Sequence, residues 1–335
     1  MKKIMNHSEI FVEESLQGIL MAHTGHLKGD PENIKAIYRA ESPIAGKVAI
    51  VTGGGFGHLP VFLGYVGKGL CDGVAVGNTF TSPSFDTIWS VTQHVKSDAG
   101  VLYLYGNYMG DSMNFDMAVE MAELEDIKIA TVRVSDDIAS APKNAKTERR
   151  GIAGIFFAYK LAGACADRMS PLEEVKRIAE KAVANTATYG VALSSCQLPS
   201  AQKPIFEMGM NEMEIGMGIH GEPGVKSGKL MTSVELTETL VPEIVNDLNI
   251  VSGDRVAVLI NGLGATSQEE LYILYKDTVK YLIEKGIEVV RSFVGEYATS
   301  FEMAGASISL LKLDNEILEL LDAPAYSPFL HMCKE

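Results

Sequence analysis

The chain has 335 residues, of which 47% are hydrophobic, and a formal net charge of -14 at pH 7. The acidic balance argues against direct binding of nucleic acid or of an anionic membrane, because both need a basic surface. The four cysteines lack a Cys-x-x-Cys spacing, no apolar run could span a bilayer, and the first residues lack the apolar core of a signal peptide. We therefore expect a cytoplasmic protein without a disulfide framework or a metal site.

Taken in order, the chain alternates predicted helices and strands. Helical periodicity predicts helices at 8–23, 86–95, 113–124, 151–166, 171–184, 267–284 and 314–321. Short apolar runs predict strands at 48–51, 101–105, 129–134, 190–195, 214–219, 255–260, 287–293 and 308–313. The polar stretch up to about Pro43 is predicted to be a loop. This alternation predicts an α/β protein of two domains, 1–185 and 186–335, each a mostly parallel or mixed sheet covered by helices.

The densest motif of the first half joins a strand to a glycine turn and a histidine. Val48–Val51 is followed by four glycines within residues 53–57, then by His58 and by Pro60, which is preset for the first turn of a helix. Backbone N–H groups in such a turn can hold a phosphate or a polarised oxygen at a helix N-terminus. A tight strand-to-helix turn is the alternative for the glycines alone. The histidine on this turn favours a catalytic or ligand-binding role over a purely structural one.

A second glycine turn, from Gly106 to Asp111, follows the predicted strand at 101–105. Asp111 is therefore expected at or just before a helix N-terminus, where an N-cap is the ordinary role of such a residue. The carboxyl ends of strands are also where open α/β sheets bind ligands. If the two strands are neighbours, His58 and Asp111 share one crevice.

The second half carries another histidine in an accessible position. His220 is expected at the end of the strand 214–219, in a glycine-rich turn with Glu222. A lone histidine is usually structural. A neighbouring carboxylate, however, can orient an imidazole or stabilise its charge, which a nucleophilic histidine requires.

Ordered motifs spread over nearly the whole chain carry a family resemblance. They are Gly53-Gly-Gly-x-Gly-His58, Thr81-Ser-Pro83, Asn107-Tyr-x-Gly-Asp111, Met113-Asn-Phe115, Arg149-Arg-Gly151, Met213-Glu-x-Gly-x-Gly-Ile-His-Gly-Glu-Pro-Gly224 and Asn261-x-Leu-Gly-Ala-Thr266. Together they resemble the substrate-binding subunit of dihydroxyacetone kinases. The helical nucleotide-binding domain of single-chain members does not follow, which points to the separate-subunit type.

The resemblance implies a homodimer that captures dihydroxyacetone or a similar short ketose as a covalent hemiaminal on His220. It assigns the acid/base pair to His58 and Asp111, and ligand contacts to the backbone of Gly54 and Gly55. It implies no cofactor bound directly to this chain. ADP or ATP with Mg would be held by a nucleotide-binding partner subunit.

Three positions depart from the family pattern: Phe56 replaces a serine, Leu59 a glutamate and Gly106 a lysine. The Phe56 ring can obstruct a phosphoryl donor or its subunit, or it can face the interior. These departures favour a ligand-sensing paralogue that acts as coactivator of a transcription regulator. The alternative is the substrate-binding subunit of a dihydroxyacetone or erythrulose kinase, which the retained His58 and Asp111 favour.

Overall fold

Helices and strands alternate along the chain in the computed structural model, which describes residues 2–333. The helices are α1 (Phe11–Ala22), α2 (Phe85–Val95), α3 (Met109–Leu124), α4 (Ile155–Asp167), α5 (Leu172–Ala184), α6 (Ser233–Asp247), α7 (Gln268–Glu284) and α8 (Asn315–Leu321). The strands are β1 (Leu27–Gly29), β2 (Ala36–Arg39), β3 (Ala49–Phe56), β4 (Gly73–Thr79), β5 (Val101–Gly106), β6 (Ile129–Val134), β7 (Thr186–Ala192), β8 (Glu212–Ile215), β9 (Lys226–Lys229), β10 (Arg255–Gly262), β11 (Glu288–Gly295), β12 (Gly305–Leu313), β13 (Ala325–Ser327) and β14 (Leu330–Met332). The predicted α/β class is confirmed.

The first large sheet has six strands in the order β1-β2-β4-β3-β5-β6. β3 pairs in parallel with β4 and with β5, whereas β2 pairs antiparallel with β1 and β4. Apolar side chains of β3 and β5 form a core with Ile88 and Val91 of α2 and with Phe115 of α3. Because β3 and β5 are parallel neighbours, their carboxyl ends lie at the same edge of the sheet.

The second large sheet is mixed, with the order β11-β10-β12-β7-β8-β9. β10 and β11 are parallel, and the other neighbouring strands are antiparallel. Leu240 and Ile244 of α6 and Leu274 of α7 pack into the core of this sheet. Both helices begin with a capping box, Thr232 with Glu235 and Ser267 with Glu270, which fixes where each helix starts.

Residues group into two units that are interleaved along the chain. The first unit consists of the described parts of Met1–Arg133, Ala158–Lys181 and Glu319–Glu335, and the second of Val134–Phe157 and Ala182–Leu318. No sign of this interleaving is visible in the sequence, from which a single boundary after residue 185 is predicted. Within residues 2–333, no helix has the length and apolarity needed to cross a bilayer.

Several local predictions were wrong. The loop predicted before Pro43 contains β1 and β2, and the residues between β9 and β10 form the unpredicted helix α6. β3 runs through its glycines to Phe56, because Gly53 and Gly54 still pair with β4. No α-helix begins at Pro60: a single 3₁₀ turn follows at Leu63–Tyr65.

Close approach of two backbones explains why no long helix follows Pro60. A Cβ on Gly67 would lie 2.1 Å from the carbonyl oxygen of Tyr326. Ser327 Oγ donates a hydrogen bond to the carbonyl of Gly64 at 2.6 Å. This segment therefore lies against β13 and supplies no helix N-terminus for a phosphate.

Candidate functional site

The glycines at the end of β3 permit tight packing of the residues around them. A Cβ on Gly54 would lie 2.2 Å from the ring of Phe62, and a Cβ on Gly55 would lie 2.8 Å from the backbone nitrogen of Thr81. Neither position could carry a side chain without displacing its neighbours. The glycines therefore have a structural role already, and ligand contacts to the backbone of Gly54 and Gly55 stay a prediction.

His58 follows β3 and is held between aromatic rings. Its imidazole stacks on Phe80, with ring centroids 4.5 Å apart and planes 7° apart, and meets the edge of Phe62 at 6.2 Å. Only 1% of the residue is exposed. These contacts fix the orientation of the imidazole at the carboxyl end of a parallel strand.

Asp111 lies in the first turn of α3, just after the carboxyl end of β5. The N-cap position belongs to Tyr108, so Asp111 is the third residue inside the helix. A buried carboxylate in the first helical turn is favoured by the dipole of the helix. Since β3 and β5 are parallel neighbours, the structure brings His58 and Asp111 to one sheet edge, as the sequence predicted.

Phe56, the least expected residue of the glycine motif, faces the interior. Its ring meets the ring of Phe11 on α1 edge to face at 6.1 Å, and 7% of the residue is exposed. Gly106, at the position of the family lysine, ends β5 as a buried residue whose carbonyl accepts the backbone N–H of Tyr108 at 2.9 Å. Of the three departures from the family pattern, Phe56 is therefore accommodated by packing in the interior.

The strand predicted at 214–219 is wrong at its end: β8 stops at Ile215, so His220 lies in the irregular segment between β8 and β9 and does not directly follow a strand. Its Nδ1 is 3.0 Å from Glu222 Oε1, and its backbone N–H donates to Glu222 Oε2 at 2.9 Å. A Cβ on Gly218 would lie 2.1 Å from that same Oε2, so the carboxylate needs a glycine beside it. The side chain of His220 keeps 21% of its surface exposed.

The charge state of Glu222 decides which nitrogen of His220 carries the proton. Burial raises the pKa of the Glu222 carboxyl, but the hydrogen bond and charge of His220, together with Arg150, outweigh it and bring the pKa to about 2. The group is therefore an ionised acceptor at neutral pH, and a hydrogen bond to it needs a proton on Nδ1. In the neutral ring, Nε2 then carries the lone pair.

Arg150 and Asp137, which were not predicted from the sequence to belong to the site, form an ion pair beside Glu222. Arg150 Nε donates to Asp137 Oδ2 at 2.9 Å, its Nη2 donates to the carbonyl of Gly216 at 3.2 Å, and its Nη1 is 3.8 Å from Glu222 Oε2. Burial raises the pKa of Asp137 to about 6, although Arg150 partly opposes the shift. The paired aspartates 136–137 and arginines 149–150 were the available signal, but nothing in their spacing linked them to residue 220.

A family model described as the Dak1 domain matches residues 17–329. The chain belongs to the Dak1 family. It is 43% identical over 329 residues to the dihydroxyacetone-binding subunit DhaK of PTS-dependent dihydroxyacetone kinase 2 from Listeria innocua, covering 98% of this chain and 99% of that protein. It is also 43% identical over 328 residues to the D-erythrulose kinase of Mycolicibacterium smegmatis, covering 98% of this chain but only 56% of that protein.

Solved structures agree with this membership of the Dak1 family. The dihydroxyacetone kinase of C. freundii matches with a TM-score of 0.87 and 32% identity, over 97% of this chain and 59% of that one. The dihydroxyacetone kinase operon co-activator DhaQ matches with a TM-score of 0.87 and 30% identity, over 96% and 97%. The fold therefore serves proteins described as kinases and a protein described as a co-activator, so it does not by itself select either role.

Proposed function

We propose that this chain captures a short ketose covalently on His220 and acts as the substrate-binding subunit of a dihydroxyacetone or erythrulose kinase. The hydrogen bond between His220 Nδ1 and the Glu222 carboxylate carries this proposal. It directs the lone pair of a partly exposed imidazole to Nε2, which is what a nucleophile requires.

Capture of the ketose is an addition of the imidazole of His220 to the ketone carbonyl. The lone pair of Nε2 forms a bond to the carbonyl carbon, and the C=O π electrons pass to oxygen. The ring becomes a cation, which the Glu222 carboxylate stabilises through Nδ1–H. The oxygen then takes a proton from solvent while Nδ1 keeps its own, so the hemiaminal carries an imidazolium ring that stays paired with the Glu222 carboxylate. A covalent bond holds a ligand that is too small to bind tightly by surface contact alone.

The acid/base roles of His58 and Asp111 are part of the same proposal. During phosphoryl transfer a ketose hydroxyl loses its proton, and either side chain could accept it. Support comes from their position at the carboxyl ends of β3 and β5, with the imidazole held between aromatic rings. ADP or ATP with Mg is expected on a partner subunit, and homodimer formation is expected from the resemblance.

The kinase role is preferred here to the sensor role because of Phe56. The sensor interpretation depended on a ring that obstructs the phosphoryl donor, and this ring packs inward against Phe11. The 43% identity to a kinase subunit over nearly its full length also supports the kinase role. The coactivator role stays the second candidate, since Gly106 still lacks the lysine side chain and the DhaQ structure matches over nearly its whole length.

Carbon-13 NMR with dihydroxyacetone labelled at the carbonyl carbon tests capture. The wild type should convert the ketone signal into a protein-bound tetrahedral carbon, and His220→Ala should abolish that signal, whereas the exposed-histidine control His7→Ala should retain it. Absence of the signal from the wild type with both dihydroxyacetone and erythrulose would refute capture.

Turnover distinguishes the two roles. The chain is mixed with an ADP-loaded nucleotide-binding subunit from the same organism, its phosphoryl donor, and either ketose. Kinase function predicts phosphorylated ketose, with loss of turnover but not of the NMR adduct in His58→Ala and Asp111→Asn. An adduct without turnover for either ketose would favour the coactivator role.

A further inference from the structure

Residues 261–266, called here the Asn261 motif, form a sequence motif to which the proposed chemistry assigns no role. Asn261 lies near the end of β10 and is fully buried. Its Oδ1 accepts the backbone N–H groups of Tyr297 and Ala298, both at 2.8 Å, and its Nδ2 donates to the carbonyl of Ala298 at 2.8 Å. A carboxylate could accept the two N–H groups but could not donate to the carbonyl, so this turn requires an amide.

The rest of the Asn261 motif holds the same stretch of chain, residues 297–305. The carbonyl of Leu263 accepts the backbone N–H of Ser300 at 2.8 Å. The hydroxyl of Thr266 donates to the carbonyl of Gly305 at 2.7 Å and accepts the N–H of the same residue at 2.8 Å. The motif therefore fixes this stretch at both ends and in its middle, where Ser300 lies.

Ser300 contacts the turn that carries His220. Its hydroxyl donates to the carbonyl of Ile219 at 2.5 Å, and the residue is fully buried. The thiol of Cys196 lies 3.7 Å from the same hydroxyl oxygen. A carbonyl can only accept, so the hydroxyl proton points to Ile219 and the thiol is the donor in its contact with Ser300. The direction of the Ser300 hydroxyl is therefore fixed.

The carbonyl of Ile219 and the N–H of His220 belong to one peptide group. The carbonyl accepts from Ser300, and the N–H donates to Glu222 Oε2 at 2.9 Å. Because a peptide group is planar, hydrogen bonds at its two opposite edges fix the orientation of the plane. This plane adjoins the Cα of His220, whose Nδ1 is held 3.0 Å from Glu222 Oε1. Ser300 and Glu222 thus act on the same peptide group from opposite sides.

We propose that Ser300 is a positioning residue for His220, and that the Asn261 motif serves to hold Ser300 in place. This inference rests on the proposed capture of the ketose by His220. Without the hydrogen bond from Ser300, the peptide group before His220 can tilt, and the Glu222 carboxylate then loses one of its two bonds to that residue. Fewer imidazole rings present the Nε2 lone pair to the ketone, so capture weakens.

Titration of the carbonyl-13C adduct signal in variants of Ser300 tests the positioning role. Ser300→Ala should lower the adduct affinity by about three- to tenfold, the range that one neutral hydrogen bond supplies. Ser300→Thr keeps a hydroxyl and should restore most of the affinity. The matched control is Ser327→Ala: Ser327 is also fully buried and donates to a carbonyl, that of Gly64, at 2.6 Å, but it belongs to the other unit. This control should keep the adduct affinity of the wild type.

Nitrogen-15 NMR of the His220 ring in the ligand-free protein gives a readout that lost stability alone does not change. The ring signals are assigned by their absence from His220→Ala. At a pH where the ring is neutral, the wild type should show a protonated Nδ1 and an unprotonated Nε2, and Ser300→Ala should show a mixture of the two tautomers. Ser300→Cys, studied with a reductant because Cys196 is adjacent, has a similar size and a weaker donor. It should shift both readouts in the same direction by less, and it decides the matter if Ser300→Ala does not fold.

A weaker adduct together with mixed tautomers in Ser300→Ala, both reversed in Ser300→Thr, supports the positioning role. Unchanged adduct affinity or unchanged ring signals in folded Ser300→Ala would overturn the inference, and so would an equal loss of affinity in Ser327→Ala. The ring signals need no ketose. A wild type that forms no adduct therefore contradicts the proposed function, while the ring signals still decide whether Ser300 orients His220.

Discussion

The Glu222 carboxylate should contribute one to two orders of magnitude to ketose capture. Glu222→Gln preserves the size of the side chain but removes its charge. In the wild type, the backbone N–H of His220 donates to one carboxylate oxygen and Nδ1 is paired with the other. The amide oxygen of the variant can still accept from one of these two donors. The substitution therefore isolates the charge more than the packing.

The expected magnitude follows from the charge that the imidazole acquires on attack. A hydrogen bond to a charged group contributes about 1.5–3 kcal/mol, which corresponds to a change of roughly 10- to 150-fold in the adduct equilibrium. The folded pKa of Glu222 of about 2 lies below its usual 4.5. Its contribution to stability is thus fully present above pH 4.5 and is lost as the pH falls towards 2, so neutral conditions measure the ionised group.

The assay is titration of the carbonyl-13C adduct signal at neutral pH in wild type, Glu222→Gln and Glu214→Gln. Glu214 is a matched control, since it accepts from the backbone N–H of Gly224 at 2.9 Å and from the Ser227 hydroxyl, and it has no bond to His220. Equal adduct affinities in wild type and Glu222→Gln, with thermal unfolding unchanged, would refute the role of the carboxylate.

Three further changes probe the surrounding structure. Phe56→Ala should lower the free energy of unfolding, measured by urea denaturation, by about 3 kcal/mol, because it removes a buried ring from its contact with Phe11. Turnover per folded molecule, measured in the kinase assay, should not rise. Arg150→Ala leaves the buried carboxylate of Asp137 uncompensated and should cost about 3 kcal/mol in the same denaturation assay, part of which Asp137→Asn in that background should restore. Burial lowers the pKa of Lys160 from 10.5 to about 8, so between these pH values the unfolded chain binds more protons than the folded chain. The stability of the wild type, followed by thermal unfolding, should therefore rise with pH in that window. The stability of Lys160→Met should change less with pH over the same window.

Periodicity predicted most helices because their buried faces repeat clearly in the sequence, and it located β5 and β6 closely. It failed for β1, β2 and β4, where short strands have polar or glycine-rich sequences and are defined by their neighbours in the sheet. The shared edge of His58 and Asp111 was predictable, since parallel order alone determines it. The support of Glu222 by Arg150 was not, because that contact joins residues far apart in sequence.

Phe56 shows why one missed strand boundary changes a functional argument. A ring on a flexible turn can point outward, and this possibility favoured a sensor. Once β3 extends to residue 56, the direction of the side chain is fixed by the strand, and the ring meets Phe11 from a helix 45 positions earlier in the chain. No local pattern encodes that contact. The distinction between kinase and sensor therefore rests on Gly106, which lacks the lysine side chain of the family pattern, and on the turnover assay.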